Sequence, residues 1–167
     1  LPAGPHAGAA VGVAACRNLR AALDDVVTVV RAGDDALAAA FVREGAQVVV
    51  AERAAAGMGA SLAAGVAAAG DADGYVVALA DMPWIAPATI RSVTDAIAGG
   101  ASIAAPRFGG RQGHPVGFAA AHRAALVALA GDAGARSIVT AHAPLVRGVD
   151  VDDPGIVRDV DLPDDLR

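Results

Sequence analysis

Tyr75-Val76-Val77-Ala78-Leu79-Ala80-Asp81-Met82-Pro83 is the stretch on which the fold turns. Its uncharged run from Tyr75 to Ala80 reads as a strand, and Pro83 stops it. Val26-Val27-Thr28-Val29-Val30 lies upstream, between Asp24-Asp25 and Gly33, and reads as a strand buried on both faces. Residues 34–44 follow as a helix, with Asp34-Asp35 in its first turn and Gly45 after its last. Val48-Val49-Val50 is the next strand, and residues 59–69 are the next helix. Downstream, Pro87 opens a helix that runs to Ala98. Strands are expected at Ser102-Ile103-Ala104-Ala105, Val116-Gly117-Phe118, residues 145–149 and Ile156-Val157. Helices are expected over residues 120–130 and 135–142.

Strand–helix–strand units at this spacing imply right-handed crossovers. The expected class is α/β, a three-layer α/β/α Rossmann-like sandwich with a mostly parallel sheet. At 167 residues the chain suits one domain with its own core.

Composition removes several classes of function. Thirteen basic residues, all arginine, against 18 acidic give a net charge of −5 without a basic block, which argues against a nucleic-acid partner. No apolar run approaches a membrane span, so no membrane partner is expected. A lone cysteine, Cys16, excludes a disulfide framework and a thiolate-rich metal site. With no secretory signal at the start of the sequence, a cytoplasmic location is expected. The abundant alanine carries no chemistry and reflects helix propensity.

In an open parallel sheet, ligands gather beyond the carboxyl ends of the strands. Asp81, directly after the strand at 75–80, is therefore a candidate ligand for Mg²⁺, which favours one or two carboxylates plus substrate phosphates. The competing role is a cap for the helix at Pro87. Gly57-Met58-Gly59-Ala60-Ser61-Leu62 offers two glycines and a hydroxyl at a helix start, where exposed N–H groups attract an anion. An ordinary glycine-rich loop is the alternative. Arg107-Phe108-Gly109-Gly110-Arg111-Gln112-Gly113-His114-Pro115 combines mobile backbone with donors suited to phosphate or pterin-like oxygens. It also fits a hairpin turn with solvated arginines. His6, His122 and His142 have no partners at ligand spacing and read as surface or packing residues. In Arg158-Asp159-Val160-Asp161-Leu162-Pro163, alternate aspartates share one face at a strand end, and one of them could be a second metal carboxylate. Asp164-Asp165 read as first-turn capping residues of a short last helix.

Taken in this order, these clusters resemble the MobA-like NTP transferase family, in its molybdenum cofactor cytidylyltransferase branch. The resemblance is carried by Gly57-Met58-Gly59-Ala60-Ser61-Leu62-Ala63-Ala64-Gly65, Ala80-Asp81-Met82-Pro83 and Gly110-Arg111-Gln112-Gly113-His114-Pro115-Val116. Gly131-Asp132-Ala133-Gly134-Ala135-Arg136 and Asp159-Val160-Asp161-Leu162-Pro163-Asp164-Asp165-Leu166 complete it. It implies transfer of CMP from CTP, or of another nucleotide from its NTP, to a molybdopterin-type acceptor with release of pyrophosphate. It further implies Asp81 as the catalytic residue holding Mg²⁺, Asp161 as the second metal carboxylate, and nucleotide contacts from Gly57, Met58, Gly59, Ser61 and Asp81. Arg111, Gly113, His114, Pro115 and Arg136 would face the acceptor. The recipient molybdoenzyme or its chaperone is an implied partner.

The family pattern begins with a strand and a glycine-rich phosphate loop carrying arginine and lysine. Leu1-Pro2-Ala3-Gly4 is not that loop, because no strand precedes it and no lysine follows. The sequence is therefore expected to be a single MobA-like domain, residues 1–167, lacking its first strand and phosphate loop. Alternative functions are a non-catalytic molybdenum cofactor chaperone, or a related transferase using GTP or a sugar phosphate. No Gly-x-Gly-x-x-Gly follows a strand to support a reductase.

Overall fold

The computed structural model describes residues 1, 7–51, 57–162 and 165. Pro2, Ala3, Gly4, His6, Pro163, Asp164 and Leu166 lie outside the described residues, and so do the expectations placed on them. The described elements are α1 (Val11–Arg20), β1 (Val27–Arg31), α2 (Asp35–Arg43), β2 (Gln47–Ala51), α3 (Met58–Ala69), β3 (Gly74–Val77) and α4 (Pro87–Ala98). They continue with β4 (Ile103–Phe108), β5 (Arg111–Gln112), β6 (Val116–Ala119), α5 (Arg123–Val127), α6 (Arg136–Ala141) and β7 (Val146–Asp150).

The sheet is where the expectation needs its main correction. The strands form two separate ladders, a parallel pair β1–β2 and a five-stranded sheet in the order β3-β6-β4-β5, with β7 also on β4. In the larger sheet β6 runs antiparallel to both β3 and β4, β5 runs antiparallel to β4, and only β7 joins in parallel. A mostly parallel sheet is not what forms. For one of the antiparallel pairs the physical reason is local: Gly109 and Gly110 both take positive φ and turn β4 straight back into β5. A hairpin needs opposite strands, whereas a parallel neighbour needs a long crossover.

Within the larger sheet, residues alternate between faces as a strand dictates. Ile103 and Ala105 join Tyr75, Val116, Phe118, Leu126 and Ile138 in one buried cluster, under α5 and α6. Ala104 points the other way, to Val93 and Ile97 of α4. Phe118 is fully buried, and such a side chain contributes roughly 1.5–3 kcal/mol. A third cluster joins Val13 and Cys16 of α1 to Val30 and Phe41. Met82, Ile85 and Ile90 link the loop after β3 to α4.

Other boundaries shift for identifiable reasons. The strand expected to reach Ala80 ends at Val77, because its ladder partner β6 begins at Val116, opposite Val77. The strand at 26–30 is not buried on both faces; along β1 only Val30 is buried and the rest are half-buried or exposed. The helix expected over 120–130 is a 3-10 turn at Ala120–His122 followed by the short α5. Ile156-Val157 is no strand but part of a 3-10 turn, Pro154–Val157, started by Pro154 and capped by Asp153, whose side chain accepts from Gly155 N–H. Residues 158–162 then run without helix or strand, so Asp159 and Asp161 do not alternate along a strand end.

Candidate active site

Asp81 stands in the turn that leaves β3. That turn is held from three sides. Asn18 of α1, buried, donates Nδ2–H to Pro83 O at 2.8 Å. Val160 N–H donates to Asp81 O at 2.9 Å. Asp153, also buried, accepts from Ala86 N–H at 2.8 Å and from Thr89 Oγ1 at 2.6 Å. Asp153, not Asp81, therefore serves the start of α4, and the Asp81 side chain is left over. Its Oδ1 is buried with no hydrogen-bond partner.

The β5–β6 connection approaches the same place. Gly113 N–H donates to Pro106 O at 3.0 Å and His114 N–H to Ile156 O at 2.9 Å. A Cβ on Gly113 would lie 2.0 Å from Ile156 O, so only glycine lets the two backbones meet. Pro115 is fully buried behind it. His114 Nδ1 is buried and unpartnered, like Asp81 Oδ1. Burial pushes the His114 imidazole below its usual pKa, and the Asp81 carboxylate opposes that pull, so the two groups lie within electrostatic reach of each other.

These segments enclose a cleft of about 210 Å³. Leu79 and Met82 line it from the Asp81 side, Arg111, Gln112, Gly113 and His114 from the hairpin, and Ile156, Val157 and Asp159 from the C-terminal segment. The C-terminal segment is anchored by the Arg158 guanidinium, which stacks on Trp84 at 3.7 Å from the ring centroid. Asp159 faces the cleft. Asp161, exposed two residues on, donates its N–H to Asp165 Oδ2 at 2.9 Å, and Leu162 N–H donates to the same oxygen.

The other expected site residues gather elsewhere. Gly57 and Gly59 start α3, but there they meet the chain's own Gly131-Asp132 loop. Gly59 N–H donates to Gly131 O at 2.7 Å. Gly57 has φ +112°, and a Cβ there would lie 2.3 Å from Asp132 Oδ1. The Met58 side chain is exposed beside Gly134, and Ser61 lies in the first turn of α3, its N–H donating to Gly57 O at 3.4 Å. Arg136 borders a separate, open hollow of about 530 Å³ with Ala133, Ser137, Thr140 and Ala141. The residues thus divide. Arg111, Gly113 and His114 line the cleft, with Asp81 and Pro115 as chain neighbours of its walls; Gly57, Met58, Gly59 and Ser61 lie at the start of α3, and Arg136 at the separate hollow.

The sequence reading gave no role of their own to Asp153, Trp84 and Asn18. A buried aspartate just before Pro154 is the one readable signal among them, as a helix or turn cap. His122 and His142, read as surface or packing residues, pack against each other. Their rings meet edge to face with centroids 5.0 Å apart, and Ser102 Oγ lies 2.8 Å from His122 Nε2.

Among the described residues, no three or more His, Cys, Asp or Glu converge as a closed metal cage, and no helix is long and apolar enough to cross a membrane. An open site, completed by substrate oxygens, is the usual arrangement for a hard divalent cation that works on phosphates. The unpartnered buried Asp81 oxygen fits such an ion.

Comparison with known proteins gives the arrangement a lineage. Residues 3–145 match the family model of the MobA-like NTP transferase domain. Rv0371c from Mycobacterium tuberculosis H37Rv, solved in complex with manganese, is 31% identical. The alignment covers 98% of this chain and 86% of that one, with a TM-score of 0.79. A nucleotidyl transferase from Methanothermobacter, 22% identical, shares the fold at a TM-score of 0.78 over 97% of this chain and 79% of its own. Molybdopterin-guanine dinucleotide biosynthesis protein A from Archaeoglobus fulgidus, 20% identical, aligns over 84% of this chain and 74% of its own with a TM-score of 0.54. A search of curated proteins returns no match.

Proposed function

The chain belongs to the MobA-like NTP transferase family, and on that premise we propose that it is a cytoplasmic cytidylyltransferase acting on a molybdopterin-type acceptor with Mg²⁺. The observation that carries the reading is the cleft beside Asp81, where a buried carboxylate oxygen lacks any partner. In the proposed reaction, a phosphate oxygen of the acceptor bonds to the α-phosphorus of CTP. The bond from that phosphorus to the bridging oxygen of the β-phosphate breaks, and pyrophosphate leaves. A bound divalent cation supplies neutralisation of the phosphate charge and a fixed geometry for the α-phosphate.

The chain's own residues position the groups. Asp81 holds the cation. The anchored 158–161 segment brings the second carboxylate, with Asp161 favoured by the family resemblance and Asp159 by its place in the cleft. Arg111 and the backbone around Gly113, His114 and Pro115 take the acceptor, the guanidinium donating to phosphate or pterin oxygens. Gly57, Met58, Gly59 and Ser61 are assigned to the nucleotide by the resemblance, and Arg136 to the acceptor side. Manganese in the 31% identical Rv0371c supports a divalent cation as such. A role in molybdenum cofactor biosynthesis is supported by the family and by the name of the Archaeoglobus protein. Release of pyrophosphate from CTP, with molybdopterin as acceptor and with GTP as the competing nucleotide, tests the assignment. Preference for GTP would overturn the cytidylyl reading. Absence of transfer with either would overturn the enzyme reading in favour of a molybdenum cofactor binding protein.

A further inference from the structure

Asp81 Oδ1 and His114 Nδ1 are the two buried side-chain polar atoms that find no hydrogen-bond partner among the described residues. An unpaired buried acceptor is costly, and native proteins rarely leave one without a use. Both atoms come from the same end of one ladder. Val77 pairs with Val116, so Asp81 lies four residues beyond the pairing on one strand and His114 two residues before it on the other. His114 lines the cleft directly, and Asp81 adjoins it through its sequence neighbour Met82, which lines it with Leu79. The backbone carrying the ring is fixed by the His114 N–H bond to Ile156 O, by the Gly113 contact with that residue and by buried Pro115.

We propose that His114, through Nδ1, is a direct ligand of the divalent cation held by Asp81, so that the centre is a mixed nitrogen–oxygen site. The proposal rests on Asp81 being the cation's carboxylate. A neutral imidazole presents one unprotonated ring nitrogen to a metal. A cation between the two atoms satisfies both at once. The ligand set also has a consequence for selectivity. Mg²⁺ favours oxygen, whereas an imidazole ligand suits the later first-row metals, with Mn²⁺ the first of that series. The site therefore favours Mn²⁺ over Mg²⁺ more strongly than two carboxylates would.

The test is pulsed electron paramagnetic resonance of Mn²⁺ bound to the full chain. Inorganic pyrophosphate serves as a nitrogen-free companion that fills the open positions. The expected spectrum contains an imidazole ¹⁴N coupling that becomes ¹⁵N when histidine is isotopically labelled. His114→Asn puts an amide oxygen near the place of Nδ1. It is expected to keep Mn²⁺ bound, abolish the imidazole coupling and narrow the preference for Mn²⁺ over Mg²⁺ by about tenfold. Mn²⁺ that binds in an Asp81-dependent manner but shows no imidazole coupling would overturn the histidine ligand and leave the Asp81 reading standing. Mn²⁺ binding indifferent to both Asp81→Asn and His114→Asn would overturn both. The coupling in the unsubstituted chain decides the question even where a variant folds poorly.

Discussion

Two places in this molecule carry the marks of a ligand site in the sequence, and the structure treats them in opposite ways. At the start of α3 the glycines admit the chain's own Gly131-Asp132 loop, and Gly131 O takes the Gly59 amide. Beyond the end of β3 the chain ties down the backbone around Asp81 and leaves its Oδ1, like His114 Nδ1, unpaired. A glycine-rich motif records only that something comes close to the backbone. Whether a ligand or another segment comes close is decided by hydrogen-bond accounting in three dimensions.

That contrast can be broken by substitution. The largest effect is expected at Asp81. Asp81→Asn keeps the shape and removes the charge, so nucleotidyl transfer should fall by about 10²–10⁴-fold, the equivalent of several kcal/mol of charge stabilisation. Thermal melting should be unchanged or slightly improved, because the substitution removes a negative charge and breaks no hydrogen bond of Oδ1. Melting far below that of the parent would mean that Asp81 is structural.

Next come the two glycines. Gly57→Ala forces a Cβ to 2.3 Å from Asp132 Oδ1 at a positive φ. It should cost about 1–3 kcal/mol by overpacking and strain, with Mn²⁺ affinity at Asp81 retained. Gly113→Ala drives a Cβ to 2.0 Å from Ile156 O, with a comparable loss of stability. Because it displaces the Ile156–Asp159 wall of the cleft, it should also weaken Mn²⁺ binding. Denaturant unfolding and metal titration of the pair sharpen the comparison, and equal metal binding in both would contradict it.

Asp153→Ala strips Thr89 Oγ1 and the Ala86 and Gly155 amides of their acceptor. Lost buried hydrogen bonds of this kind cost about 1–3 kcal/mol, visible as a lower denaturation midpoint.

The smallest effect is expected from pH. Burial, and then His142, hold the His122 imidazole below its usual pKa. The unfolded chain therefore takes up a proton first. Stability is complete above about pH 6.5, where the ring is neutral in both states, and declines as pH falls below that value until the folded ring titrates too. His114 acts in the same direction. His122→Gln keeps a partner for Ser102 and should reduce, without abolishing, a loss of a few degrees in Tm between pH 7.5 and 5.5.

The order of elements was legible in the sequence because hydrophobic runs and their breakers are local. Pro87 opens α4 and Gly45 follows α2 as read. Strand direction was not legible. It depends on the Gly109-Gly110 reversal and on the insertion of β6 between β3 and β4, and hydrophobic pattern carries neither. Asp81 was readable because the uncharged run from Tyr75 to Ala80 leads straight into it, although β3 itself ends at Val77. The His114 environment was only half readable. Gly-His-Pro marks a constrained backbone, but the Ile156 carbonyl that constrains it lies more than 40 residues away. The role of Asp153 escaped notice because its partners, Ala86 and Thr89, lie farther off still, 67 and 64 residues away.

The most direct test of the account is Mg²⁺-dependent pyrophosphate release from CTP and molybdopterin by the full chain, with Asp81→Asn measured in parallel at matched thermal stability. The account predicts release by the parent, abolished by chelation and reduced at least about a hundredfold in the variant. Equal release by a folded Asp81→Asn variant would contradict it.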